Sequence, residues 1–86
     1  MYLHLGGSTV VMRADVIAVC DLDNSSYSRV TRDFLARAER AGRLINAAED
    51  IPKSFVVCQD GGIQTVYLSQ LSSATLLKRS GAIGFE

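Results

Sequence analysis

A single histidine, a single proline and two cysteines stand in a chain of 86 residues whose nine basic side chains are matched by nine acidic ones. Each scarcity closes off a class of function. One Pro and seven Gly are too few for a collagen-like or low-complexity chain. Cys20 and Cys58 sit in separate apolar, strand-like runs without zinc-finger or redox spacing. Two buried free thiols are the ordinary expectation for such a pair in a reducing compartment; a Cys20–Cys58 disulfide, or a site joining them to His4, is the rarer alternative. No G-x-S-x-G elbow, phosphate loop or H-E-x-x-H helix occurs, so no enzyme, no metal and no cofactor is expected. No apolar run approaches the roughly 20 residues needed to span a bilayer. The opening Met1-Tyr2-Leu3-His4 has no basic, apolar or cleavage region of a secretion signal, which leads us to expect a soluble, cytoplasmic protein. Zero net charge argues against a strong, diffuse polyanion binder, so any electrostatic function must come from local segregation of charge.

What is present reads as one small α+β domain, residues 1–80, with a tail at 81–86. Apolar residues make up 48% of the chain and charged ones 21%, a globular balance. Tyr2-Leu5 and Thr9-Met12 around Gly6-Gly7-Ser8 predict a hairpin, and Val16-Cys20 a further strand. Asp21-Leu22-Asp23-Asn24-Ser25 is rich in helix-capping side chains. It lacks the Gly and distal Glu of a calcium loop, so a capping turn is the better reading. Tyr27, Val30, Phe34, Ala38 and Ala41 recur at helical steps, predicting a long central helix over about 26–41, which Gly42 stops. Leu44-Ile45 is a brief strand and 47–53 a loop holding Pro52, with Glu49 and Asp50 solvated. Ser54-Cys58 and Gln64-Ser69 flank Asp60-Gly61-Gly62 as a second hairpin. Ser72–Arg79 is a short C-terminal helix with a serine cap and Lys78 and Arg79 at its negative end. The strands together predict a small antiparallel sheet.

Two features bear on function. Val16-Cys20 and Phe55-Cys58 are apolar on both faces, and strands of this kind need cover on both sides. Two helices cover about one face, which points to a second subunit and a homo-oligomer; one subunit whose helices sandwich the sheet is the alternative. The second feature is the helix. On a wheel of about 100° per residue, Arg29, Arg32, Arg40 and Arg43 fall within an arc of about 80°, with Arg37 at one side and Val30, Phe34, Ala38 and Ala41 opposite. Five arginines against Asp33 and Glu39 leave this segment at +3. The arginine fork suits phosphate and guanine recognition. The plainer reading is a solvated amphipathic helix in which Asp33 pairs with Arg29 or Arg37, and Glu39 with Arg43.

Tyr2-Leu3-His4-Leu5-Gly6-Gly7, Val16-Ile17-Ala18-Val19-Cys20-Asp21-Leu22-Asp23, Thr31-Arg32-Asp33-Phe34-Leu35, Pro52-Lys53-Ser54-Phe55-Val56-Val57-Cys58 and Ser72–Arg79 together resemble the RemA/RemB family of bacterial extracellular-matrix (biofilm) regulators, most closely its RemB branch. The resemblance runs from Tyr2 to about Arg79. It implies a cytoplasmic regulator of matrix gene expression, a LytTR-like fold, ring-shaped homo-oligomers and double-stranded DNA as partner. Arg13, Arg29, Arg32, Arg40, Arg43 and Lys53 are then the candidate DNA contacts. RemA-type sequences carry an Arg pair before the Val-rich strand and a basic residue entering the strand after the first hairpin. Here those places read Asp50-Ile51-Pro52-Lys53 and Arg13-Ala14-Asp15. Either the helix arginines compensate, or the protein regulates through a protein partner without binding DNA itself.

Overall fold

The computed structural model describes residues 2–22 and 29–79. Strands β1 (Tyr2–Gly6) and β2 (Thr9–Met12) form an antiparallel hairpin, and a 3₁₀ turn at Arg13–Asp15 leads into β3 (Val16–Asp21). Helix α1 (Arg29–Arg40) is followed by β4 (Leu44–Asn46), β5 (Ser54–Asp60), β6 (Ile63–Ser69) and α2 (Ser73–Arg79). Four strands make the main sheet, in the order β3-β5-β6-β4. It is mixed, not antiparallel throughout as expected: β3–β5 and β5–β6 are antiparallel, but β4 pairs with β6 in parallel. The reason lies in the connection. α1 carries the chain back to the end of the sheet where β3 began, so the next strand must run the same way as β3.

The double-sided apolar character of β5 is satisfied within the chain. Residues 54–58 are all buried. On one face Val56 and Cys58 pack with Leu3, Leu5, Val11 and Leu76 from the hairpin and α2; on the other, Phe55 and Val57 pack with Leu35, Ala38 and Val66 beneath α1. The first hairpin supplies the cover that two helices alone lack, so β5 does not require a second subunit. β3 is less enclosed, and its Ile17 stays 56% exposed.

Ser54 and Ser69, paired across β5 and β6, are fully buried polar residues whose hydroxyls staple the layers. Ser69 Oγ donates to the Leu5 carbonyl at 2.6 Å and Ser54 Oγ to the Leu71 carbonyl at 2.7 Å. A buried carbonyl left without such a donor costs about 1–3 kcal/mol. Ser72 caps α2 as expected, its Oγ accepting from the Thr75 N–H at 3.1 Å.

The helix terminator is also where the sequence pointed. Gly42 has φ 72°, the Arg43 N–H reaches the Ala38 carbonyl at 2.8 Å, and the Gly42 N–H reaches that of Glu39 at 3.0 Å. These two bonds make a Schellman ending, which requires a left-handed residue at this place. A Cβ there would meet nothing within 4 Å, so only backbone strain opposes it. Gly42→Ala is expected to lower stability by about 1 kcal/mol, read as a shifted urea midpoint with an unchanged slope.

Two details differ from expectation. The second hairpin turns on Gly61-Gly62, with φ of 57° and 87°, and Asp60 closes the ladder opposite Ile63 instead of entering the turn. The buried face of α1 is rotated from the expected one. Leu35 and Ala38 are buried and Phe34 half-buried against Phe55, whereas Val30 is 77% exposed and Ala41 is exposed. Leu35 reaches between β5 and β6 and draws the helix round. The start of the predicted helix at 26–28, the capping residues at 23–25 and the tail at 81–86 lie outside the described residues.

Candidate nucleic-acid interface

Rotation of α1 leaves its arginines outward. Arg29, Arg32, Arg37 and Arg40 are all exposed; Arg29 and Arg40 lie away from the buried Leu35 and Ala38, while Arg32 lies about 60° from Leu35 on the helical wheel. Arg32 lines a cleft together with Leu22, Leu35, Leu68 and Pro52, which sets it beside the segment bearing Lys53. Lys53 itself is exposed, while its backbone is fixed on both sides: its N–H donates to the Ser69 carbonyl and its carbonyl accepts from Leu22, each at 2.8 Å. Lys53 and Arg32 therefore share one end of the molecule, and Arg29 and Arg40 extend the same helix surface.

Arg13 and Arg43 are placed differently. Arg43 is half-buried and its Nη1 donates to the Gln64 carbonyl at 3.0 Å and to the Gln64 side-chain oxygen at 3.4 Å. Gln64, not Glu39, is thus its partner, and Arg43 anchors the end of α1 to β6. Arg13 is exposed in the 3₁₀ turn, on the Cys58 end of β3, whereas Lys53 adjoins the Ser54 end of β5. The length of β5, about 20 Å, separates those two ends. The fold accordingly sets Arg32 beside the Lys53 segment and leaves Arg29 and Arg40 exposed on the same helix, while Arg13 lies at the other end of the sheet and Arg43 is turned to Gln64.

The remaining reactive groups are quiet. His4 is exposed on β1, and its Nε2 lies 2.8 Å from the Gly7 carbonyl; a carbonyl only accepts, so this nitrogen carries the hydrogen. Cys20 packs on the α1 face of the sheet and Cys58 on the hairpin face, and both are free thiols. Burial raises the pKa of Cys20. Burial, then the negative charge of Asp15, pushes Cys58 up to about 11. Tyr67 is raised by burial and by the same neighbours. A thiol whose folded pKa exceeds its unfolded value keeps its proton where the unfolded chain has lost it. The stability it lends is whole below the unfolded value and is lost as pH rises through about 11. Native Cys58 is therefore expected to resist alkylation near the ordinary thiol pKa while the urea-unfolded chain reacts readily, as followed by mass spectrometry.

Sequence reasoning missed a groove on the hairpin side, where Val10, Met12, Asp15, Asp60, Ile63 and Tyr67 meet. These residues come from three separate strands and a turn, and no local pattern joins them. Among the described residues no cluster of His, Cys, Asp and Glu could hold a metal ion, and no helix is long and apolar enough to cross a membrane.

The described residues form a layered α+β domain with a net-cationic helix outside its sheet. The chain belongs to the RemA-like family, described as extracellular matrix regulatory protein A-like, whose profile matches residues 2–79. It is similar to extracellular matrix regulatory protein B of Bacillus subtilis (strain 168), with 34% identity over 80 residues, covering 93% of this chain and 90% of that protein. The RemB-like character read from the sequence agrees with that relative, which is named as a regulatory protein and not as an enzyme.

Proposed function

We propose that this protein is a cytoplasmic transcriptional regulator of extracellular-matrix (biofilm) genes that binds double-stranded DNA as a homo-oligomer. The observation that carries this reading is the exposed surface of α1, where Arg29 and Arg40 stand opposite the buried Leu35 and Ala38, and exposed Arg32 lies at the edge beside the segment of Pro52 and Lys53. Phosphate contacts supply most of the affinity of a sequence-independent encounter, and a few cations per subunit suffice when a ring repeats them along one track. The LytTR-like fold and ring implied by the family resemblance, and the single domain at residues 1–80, belong to the same reading. Arg13 lies off this surface and serves as an outlying phosphate contact; Arg43 acts through the placement of α1.

The test is a salt titration of binding to duplex DNA by the purified full chain. Affinity is expected to fall linearly on a double-logarithmic plot, with a slope near −0.9 per phosphate neutralised. No binding at low salt, or a flat dependence, overturns the reading.

One observation favours a second reading, regulation through a protein partner. Asp15 stands where RemA-type sequences carry a basic residue, and with Asp60 it gives the groove between the layers an acidic character unsuited to DNA. Matrix-gene control by a chain that fails to shift DNA at any salt would support that alternative.

A further inference from the structure

The hairpin of β1 and β2 turns a largely apolar face to solvent. Leu3, Leu5 and Val11 point inward and are buried, so the alternation of the strands leaves Tyr2, His4, Val10 and Met12 outside, with Tyr2 opposite Met12 and His4 opposite Val10. This face leads into a groove of about 290 Å³ between β2 and the outer ends of β5 and β6. Val10, Met12 and Ile63 wall the groove and are 49, 43 and 66% exposed. Asp15 and Asp60 bring two carboxylates to it, and no basic residue lines it. The charge of Asp15 acts inside the groove: after burial, it is what raises the Cys58 thiol, and both residues belong to the groove wall. Arg13, in the same 3₁₀ turn, is exposed and lies outside the lining.

Two chemistries in one place select the occupant. Carboxylates repel the phosphates of nucleic acids and of anionic lipid headgroups, so neither suits this surface. A free polyamine would use the carboxylates and leave the apolar strip bare. A peptide segment with an arginine or lysine among apolar residues matches both. Its apolar side chains cover Val10, Met12 and Ile63, and the stem of the basic residue lies along them with its charged head at Asp15 and Asp60. The groove opens on the sheet face of Cys58 and Tyr67, whereas α1 covers the face of Phe55 and Val57. Such a segment therefore reaches its site without passing the arginines of α1.

We propose that the Asp15–Asp60 groove, with the outer face of the hairpin leading into it, is the docking site for a different protein that presents a segment of apolar side chains bearing arginine or lysine. This gives the second reading above its surface and the chemistry of its partner, and it rests on that partner and not on DNA binding.

The experiment is fluorescence anisotropy on the full chain, with a fluorescein-labelled peptide of arginines set among leucines as the probe. The same peptide with glutamate for arginine, or with serine for leucine, is expected not to bind. Asp60→Lys and Ile63→Ser, both at exposed positions, are each expected to weaken the leucine–arginine peptide about tenfold or more, with an unchanged circular dichroism spectrum. Glu39→Gln, at an exposed carboxylate on α1, leaves the affinity as it is and separates the groove from a general attraction to acidic residues. Affinity that survives both groove variants overturns the proposal. So does a serine–arginine peptide that binds equally well, which assigns the groove to a bare cation. Light scattering in which both groove variants change the number of associated chains also overturns it, since the groove then serves contact between copies. A wild type that binds none of the peptides removes the groove alone; the second reading itself is judged by matrix-gene control without a DNA shift. Asp60→Lys retains Arg29, Arg32 and Arg40, so its low-salt DNA affinity reports on the DNA reading while its peptide affinity reports on the groove.

Discussion

Alanine at Arg29, Arg32 and Arg40 together is expected to lower duplex-DNA affinity about a hundredfold to a thousandfold per bound subunit at roughly 0.1 M salt. The salt dependence should become shallower by about three ions, because each lost phosphate contact removes close to one released counterion. The argument rests on exposure. All three side chains are exposed and none belongs to the buried cluster beneath α1, so their removal leaves that core in place. Surface changes of this type alter stability by about 0.5 kcal/mol or less, and alanine suits a helix interior. A loss that is equal for unrelated DNA sequences identifies phosphate contact; a loss confined to one sequence identifies base reading. Unchanged affinity and slope would remove α1 from the interface. Arg43→Ala, by contrast, should act mainly on stability, since its half-buried guanidinium is hydrogen-bonded to Gln64.

The second large effect belongs to the hairpin. Leu5→Ala is expected to cost about 2–5 kcal/mol, as large-to-small changes in a closed core do. Leu5 is fully buried among Leu3, Val56 and Leu76, and its own carbonyl receives the Ser69 hydroxyl. The residue therefore joins the hairpin to the sheet both by its side chain and by its backbone. A domain of this size has about 5–15 kcal/mol in total, so the loss is a large share of it and lowers the melting temperature by on the order of 10–30 °C. Urea unfolding gives the measurement. Val30→Ala, at an exposed site, should change it little, and a similar loss at both positions would contradict the assignment of the core.

Much of the fold could be read locally. Glycines at 42, 61 and 62 mark chain reversals because left-handed backbone excludes most other residues, and all three have positive φ. Ser72 marks a helix start because its hydroxyl can reach back to an orphan N–H, as it does at Thr75. Apolar runs placed every strand of the described residues.

Long-range packing decided the rest. The wheel orders residues around α1 but does not say which are drawn inward, and Leu35 prevailed over Val30 because β5 and β6 offer it a place between Val57 and Val66. The parallel pairing of β4 follows from the route of a helix over the sheet, which no strand's own residues encode. Arg43, beside the other arginines on the wheel, was withdrawn to Gln64, 21 residues away along the chain. The groove of Asp15 and Asp60 exists only because β2, β5 and β6 converge there. Periodicity and turn chemistry act over a few residues and were open to inspection from the start. The depth, partner and sharing of a surface arise from segments distant in sequence, and these were set when the layers closed.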